Sequence, residues 1–574
     1  MNEISKIVAE SEEVFDPLDD LIERTRLDVG LPFNTEILAA LASLKSSDRP
    51  AFEKMRVGLK EAKCRVTELD KELDASDGRG SRQRPTQADN LTGLLEEVDL
   101  FAAPDGDCFA DININGHRET WRIRSGGFEG WLLGRYYQTF NGTPSNDAVS
   151  SALNMAEAAC RAKGQKRDVC LRVGSAEGKH YVDLCDDAWR AVEIDETGWR
   201  IISDSPVRFR RADAMQALPE PERGGSISEL KAFLNVSDED GFVLTVAWLL
   251  AALRDSGPYP LLTLSGEQGS AKSTFVALLK ALIDPCSAFP RTMSDGDRNL
   301  YIHAKNNHVL AFDNLSKLSN GTSDALCRMS TGGGFSVRQL YTDEEEKIFE
   351  GMRPMTFNGI EEIITRPDLA DRSLFLTLDP IPEEKRRLQS ELWAAFTQKH
   401  PLILGALLDA MVIGLRRLPE IKLPTLPRMA DFATWAVACE PAFASEGMFM
   451  AAYKDNRDRA IEDVIEADPV AGAVRKLMLT RSDWHGTTTE LLVALQPCRE
   501  QSSNEKDQWP SQPNQLSGAL RRAAPFLRKL GISVTDKREG HDRNRIIRIS
   551  SGQVSSEIAA DGADDADDQF DTPT

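Results

Sequence analysis

The residue types best placed to do chemistry are gathered in Gly266-Glu267-Gln268-Gly269-Ser270-Ala271-Lys272-Ser273-Thr274. An apolar run, Tyr259 to Ser265, leads into them, and Phe275, Leu278, Leu279 and Leu282 follow at helical spacing. The glycines therefore join a strand to a helix, the setting of a Walker A loop. Glycines let backbone N–H groups close on phosphate oxygens, and the helix N-terminus favours negative charge. Lys272 suits the β- and γ-phosphates, the Ser273 hydroxyl suits magnesium, and Thr274 suits the α-phosphate. The expected ligands are ATP and Mg2+. Ala271 stands where the pattern has its last glycine; a residue entering a helix has φ near about −60°, which alanine tolerates.

Asp313 lies 41 positions beyond Lys272, at the end of the apolar strand His308 to Phe312. A carboxylate there reaches magnesium directly or through water. Asn314 follows, where most ring ATPases carry glutamate. An amide orients a water but cannot take its proton. Hydrolysis is then slow, or a carboxylate from elsewhere is the base, or positioning alone suffices. A third strand, Arg353 to Phe357, ends in Asn358, 45 positions beyond Asp313. Asn358 is either a sensor of the γ-phosphate and attacking water or part of an Asn-Gly turn. Arg372, and second to it Arg366, can reach a neighbour's nucleotide in a ring; the alternative is a salt bridge to Asp368 or Asp371.

In this order, Gly266 to Thr274, Asp313-Asn314, Asn358 and Arg372 resemble the superfamily III helicases of the AAA+ class. The set is most similar to the poxvirus- and phage-type primase-associated helicases of prophages, plasmids and integrative elements. Cys327 to Gly334, Arg338 to Tyr341 and Arg366 to Arg372 match too; Arg428-Met-Ala-Asp431-Phe also matches, without an evident mechanism. The resemblance runs from about residue 168 to 550. It implies a hexameric ring moving along single-stranded or forked DNA, with a primase as a further partner. It also implies a pore hairpin over 337–349, whose tip, Asp343 to Glu346, is acidic and leaves Arg338 or Lys347 to touch DNA. No polymerase is expected, because Asp105-Gly-Asp107 sits in a Pro/Gly turn.

Near the C-terminus the pattern is helix Leu516 to Leu530, strand Gly531 to Thr535, a polar turn and strand Arg545 to Ile549, which suits a winged helix. Between Asn514 and Ser550 nine basic residues face three acidic ones. Arg521, Arg522, Arg528, Lys529, Lys537, Arg538, Arg543 and Arg545 are the candidate DNA contacts. A solvated charged face or a protein-docking module would look the same.

The elements that must position these groups follow from the whole chain. Its 574 residues suit roughly three to four domains. With 69 basic and 91 acidic residues the net charge is −22, so DNA contact must be a local patch on an acidic body. Nine cysteines without a C-x-x-C pair argue against zinc and disulfides. The apolar runs Phe242–Leu253 and Leu402–Leu415 are too short to span a bilayer, and a cytoplasmic location without membrane contact is expected.

The expected fold is multidomain α/β: a P-loop AAA+ ATPase core with a preceding α+β module, helical segments and a C-terminal winged helix. The boundaries are a helical module and linker at 1–90, the α+β module at 91–225, the ATPase core at 226–400, a helical region at 401–468, the winged helix at 469–550 and an acidic, disordered tail at 551–574. The expected function is an ATP-dependent DNA helicase or translocase in the replication of a phage or other mobile element. The alternative is an ATP-switched, DNA-binding replication initiator or regulator with little unwinding.

Overall fold

The computed structural model describes residues 16–76, 85–163, 166–289, 293, 297–315, 318–333, 335–338, 346–349, 351–359, 364, 366–499, 509–539 and 544–551. The chain divides into two compact units. The first takes 1–98 and 129–158, so most of helices Gly126–Phe140 and Asn146–Lys163 falls with the N-terminal helices. Its core gathers Leu21, Ile37, Leu41, Phe52, Leu59, Leu69 and Leu73. Asn34 and Asp48 cap two of its helices by accepting from Glu36 N and Ala51 N.

The second unit, 99–128 and 159–574, carries every strand among the described residues. β1 (Asp99–Ala102), β2 (Cys108–Ile114) and β3 (His117–Arg122) form an antiparallel meander. Asn115 and Gly116, both at positive φ (51° and 87°), make the tight turn between β2 and β3, as an Asn-Gly pair between two short strands favours. β4 (Val169–Cys170) pairs with β9 (Arg208–Phe209). Between them β5 (Val173–Ala176), β6 (Lys179–Asp183), β7 (Ala191–Asp195) and β8 (Gly198–Ile202) make an antiparallel sheet.

Helix Glu239–Ala252 is buried on every side from Gly241 to Ala252, because it is apolar all round; Asp238 caps it through Gly241 N at 2.7 Å. It packs in a core shared with helix Lys272–Ile283 and helix Gln389–Arg417. The central sheet is four parallel strands: β10 (Leu261–Ser265), β11 (Leu310–Leu315), β14 (Met355–Gly359) and β15 (Ser373–Thr377), in the order β11-β14-β10-β15. Strand β12 (Phe335–Arg338) pairs with β13 (Glu346–Phe349) as a separate hairpin. β15 is an edge strand. Helix Met448–Ala467 covers it, and the Asn456 amide accepts from Phe375 N (3.0 Å) and donates to Phe375 O (2.6 Å).

After helix Pro469–Leu479, β16 (Asp483–Thr487), β17 (Ile532–Glu539) and β18 (Asn544–Ser551) form an antiparallel sheet with β18 central, packed on helix Pro513–Lys529. Among the described residues no helix is long and apolar enough to cross a membrane. The apolar stretch with Asp409 is instead a core helix, and Trp199 Nε1 donates to Asp409 at 2.8 Å. The expected tail, 551–574, lies outside the described residues beyond Ser551.

Candidate functional site

The loop 266–271 leaves the C-terminal end of β10 and enters helix Lys272–Ile283. Its backbone is held from outside. Gly266 sits at φ 142°, and a Cβ there would stand 2.4 Å from the Leu378 carbonyl. Gly269 sits at φ 89°, its carbonyl accepting from Ile381 N. Asn235 donates to Ser270 O (3.0 Å) and Asp379 O (2.8 Å), tying the loop to the chain beyond β15. Ser270 Oγ donates to Glu267 O, while Glu267, Gln268 and Gly269 remain exposed.

Ala271 corrects the sequence reading. It adopts φ 60°, ψ 28°, the left-handed region, and not the helical φ expected at this position. A Cβ costs roughly 1–2 kcal/mol there, so the usual glycine has a physical reason.

Lys272 Nζ donates to Gly266 O (2.6 Å), Glu267 O (2.9 Å) and Ser270 Oγ (3.3 Å). All three acceptors are neutral. Partial burial lowers the Lys272 pKa from its ordinary value, and the Asp313 charge opposes that shift. The ammonium thus lies over the loop and, among the described residues, meets no carboxylate.

The candidates from three separate stretches meet beside it. Ser273 Oγ donates to Asp313 Oδ1 at 2.7 Å, and Asn358 Nδ2 donates to the same oxygen at 2.6 Å. Asn358 Oδ1 accepts from Asn314 N at 2.6 Å. Asn358 is buried in β14 between β10 and β11, so it is a bridging side chain and not a turn residue. Asn314 sits at φ 57° in a bulge of β11, with its side chain exposed. Asparagine tolerates that region better than glutamate does, which accounts locally for the amide. Thr274 takes the third helical position, half-buried.

A hydroxyl and a carboxylate at this separation suit a hard divalent cation. Among the described residues no group of three or more Asp, Glu, His or Cys side chains could hold a metal, and magnesium needs only one or two carboxylates.

Both arginines bind within their own chain. Arg366 pairs with Asp324 (2.5 Å) and Arg372 with Asp368 (2.5 Å). Leu261 N donates to Arg372 O, which puts Arg372 at the N-terminal end of the parallel sheet. The loop is at the other end, one five-residue strand or roughly 16 Å away, so Arg372 does not serve the loop of its own chain.

Strands β12 and β13 place Arg338 opposite Glu346; the tip, 339–345, lies outside the described residues. Glu346 therefore begins the returning strand. In the C-terminal module Arg521, Arg522, Arg528 and Lys529 are exposed on helix Pro513–Lys529. Lys537, Arg538 and Arg545 fall on β17 and β18; their side chains, and all of Arg543, lie outside the described residues. Asp105 and Asp107 are taken by Lys305 (2.6 and 3.0 Å), and Arg122 adds a contact to Asp107.

Sequence reasoning missed Asn235, and it missed Arg386, whose guanidinium would lie 3.7 Å from a Cβ on Gly269. Neither carries a motif. It also missed β16, where Asp-Trp-His-Gly-Thr gives almost no strand signal.

Comparison with known proteins adds the following. The actinomycete integrative conjugative element replication protein model matches residues 227–463, and the AICE RepA C-terminal domain model matches 470–561. No curated protein matches the chain. Among solved structures, an A-form apo structure of the NrS-1 C-terminal region aligns at 13% identity, covering 82% of this chain and 100% of that one, with a TM-score of 0.36. A second, of residues 305–718 of that protein, aligns at 12% identity over 80% and 99%, with a TM-score of 0.33. The two matched stretches follow one another and together take up more than half of the 574 residues. The chain belongs to the replication proteins of actinomycete integrative conjugative elements.

Proposed function

We propose that the protein is an ATP- and magnesium-dependent DNA helicase or translocase that works as a hexameric ring during replication of the element. The observation that carries this reading is the hydrogen-bonded line Ser273–Asp313–Asn358 beside Lys272, whose acceptors among the described residues are all neutral. In this reading 261–283 is a P-loop unit. The backbone of Gly266 to Ala271 cradles the phosphates and Lys272 meets the β- and γ-oxygens. Ser273 and Asp313 would hold magnesium, which supplies charge neutralisation at those oxygens. Asn358 orients the attacking water, and Arg372 or Arg366 stabilises transition-state charge on a neighbouring subunit's nucleotide. The C-terminal sheet and helix act as a winged helix whose basic residues bind DNA phosphate.

The test is ATP hydrolysis by the purified protein with and without single-stranded DNA, beside strand displacement and native mass. DNA-stimulated turnover with displacement is expected. A protein that takes up no ATP with magnesium would sink the reading.

A second reading, an ATP-switched initiator or regulator, is favoured by Asn314, whose exposed amide offers no proton acceptor. Ring formation on ATP without displacement or steady turnover would select it.

A further inference from the structure

Four elements meet at two carboxylates just ahead of β15. The Asp371 side chain is 9% exposed; its Oδ1 accepts from Arg457 Nη2 (2.8 Å) and Lys529 Nζ (3.2 Å), and its Oδ2 from Arg428 Nη1 (3.4 Å). Asp368 Oδ1 accepts from Arg372 Nη1 (2.5 Å) and Arg428 Nη2 (2.9 Å). Arg372 also donates to the Asp368 carbonyl at 2.7 Å and keeps only 13% of its side chain exposed. Arg428, the residue with a family match and no mechanism, thus bridges both carboxylates.

These partners come from far apart in the chain. Arg457 lies on helix Met448–Ala467, which also clamps β15 through Asn456. Lys529 ends helix Pro513–Lys529, the helix with exposed Arg521, Arg522 and Arg528. Burial alone would raise the Asp371 pKa, but Arg457 and Lys529 outweigh it and hold the carboxyl below its usual range. Four cations share two carboxylates, so Asp371 stays paired when one leaves. Lys529, at 42% exposure and through a single ammonium, is the cheapest to withdraw.

We propose that the Lys529–Asp371 pair is an autoinhibitory contact. It adds the basic C-terminal module to the restraints on the segment that keeps Arg372 on Asp368, and DNA phosphate competes for Lys529 and loosens that segment toward the neighbouring nucleotide. This rests on the ring-ATPase reading above.

The experiment uses the full chain and measures kcat and KM for ATP, without DNA and at saturating single-stranded DNA, for wild type, Lys529→Met, Lys529→Arg and Arg372→Ala. DNA affinity is measured separately, so that weaker binding is not mistaken for lost coupling. Lys529→Met is expected to raise the DNA-free kcat about threefold toward the stimulated value, the scale of a half-exposed ion pair, with KM unchanged. Lys529→Arg restores the restraint. An unchanged DNA-free kcat in Lys529→Met, with full stimulation at saturating DNA, overturns the proposal. If Arg372→Ala loses kcat in that case, the ring reading survives and only the contact fails. If Arg372→Ala keeps its kcat, the contact fails with it, and the ring reading then rests on Arg366, whose Arg366→Ala must lose kcat for that reading to stand.

Discussion

Helix Lys272–Ile283 carries two lysines with opposite tasks. Lys272, at its first residue, is surrounded by neutral acceptors. Lys280, two turns on, is 3% exposed and donates to Asp284 (2.5 Å), Asn307 (3.3 Å) and Val309 O (2.9 Å). Asp284 is in turn bound by Arg172 Nε at 3.2 Å and by the backbone N–H groups of His308 and Val309. Burial would raise its pKa, yet Lys280 and Arg172 outweigh that and hold it well below the carboxylate range. One lysine meets only neutral acceptors among the described residues. The other spends its charge joining the helix to β11 and to the sheet of β5 to β8. Residue type and helix are shared; the acceptors differ.

The comparison breaks first at Lys280. Lys280→Met leaves Asp284 and Arg172 in a buried cluster short of one charge, and a loss of about 3–5 kcal/mol is expected in urea unfolding. A loss below about 1 kcal/mol would show the cluster to be ornamental. Lys272→Ala should do the reverse: hydrolysis falls about 10²-fold or more while the melting temperature holds.

Acid probes the architectural end. Burial lowers the pKa of His308, beside Asp284, to about 4, and that of His400, stacked on Phe396, also to about 4. Both imidazoles bind a proton more readily in the unfolded chain, so acid favours unfolding. Stability is full above the ordinary histidine value and falls as pH drops from about 6.5 toward about 4, by up to roughly 3 kcal/mol per group. His400→Leu should flatten the slope of urea midpoints between pH 7 and 5. The smallest effect is at Ala271: Ala271→Gly relieves left-handed strain but adds unfolded-state entropy, for a net gain below about 1 kcal/mol.

Much of this was legible in the sequence where the signal is local. The Asn115-Gly116 turn, the apolar helix Glu239–Ala252 and the order loop, Asp313, Asn358, Arg372 all stand in residue types and short spacings. The left-handed Ala271 was not, because its backbone lies in a loop held by Asn235 and Leu378, residues 36 positions before it and 107 after. Asp371 was weighed only as a partner for a neighbouring arginine. Its partners Arg428, Arg457 and Lys529 lie 57, 86 and 158 positions away, and no periodicity reports such meetings.

The Asn456 clamp bears on how copies of the chain can meet. An edge strand offers its unpaired N–H and C=O groups to any extended segment that drifts alongside, a route to runaway stacking. At Phe375 both groups are already occupied by a side chain that has no further strand to offer. At this point of β15 the central sheet is thereby closed to an added strand, which leaves β11 as the edge along which an extended segment could still pair.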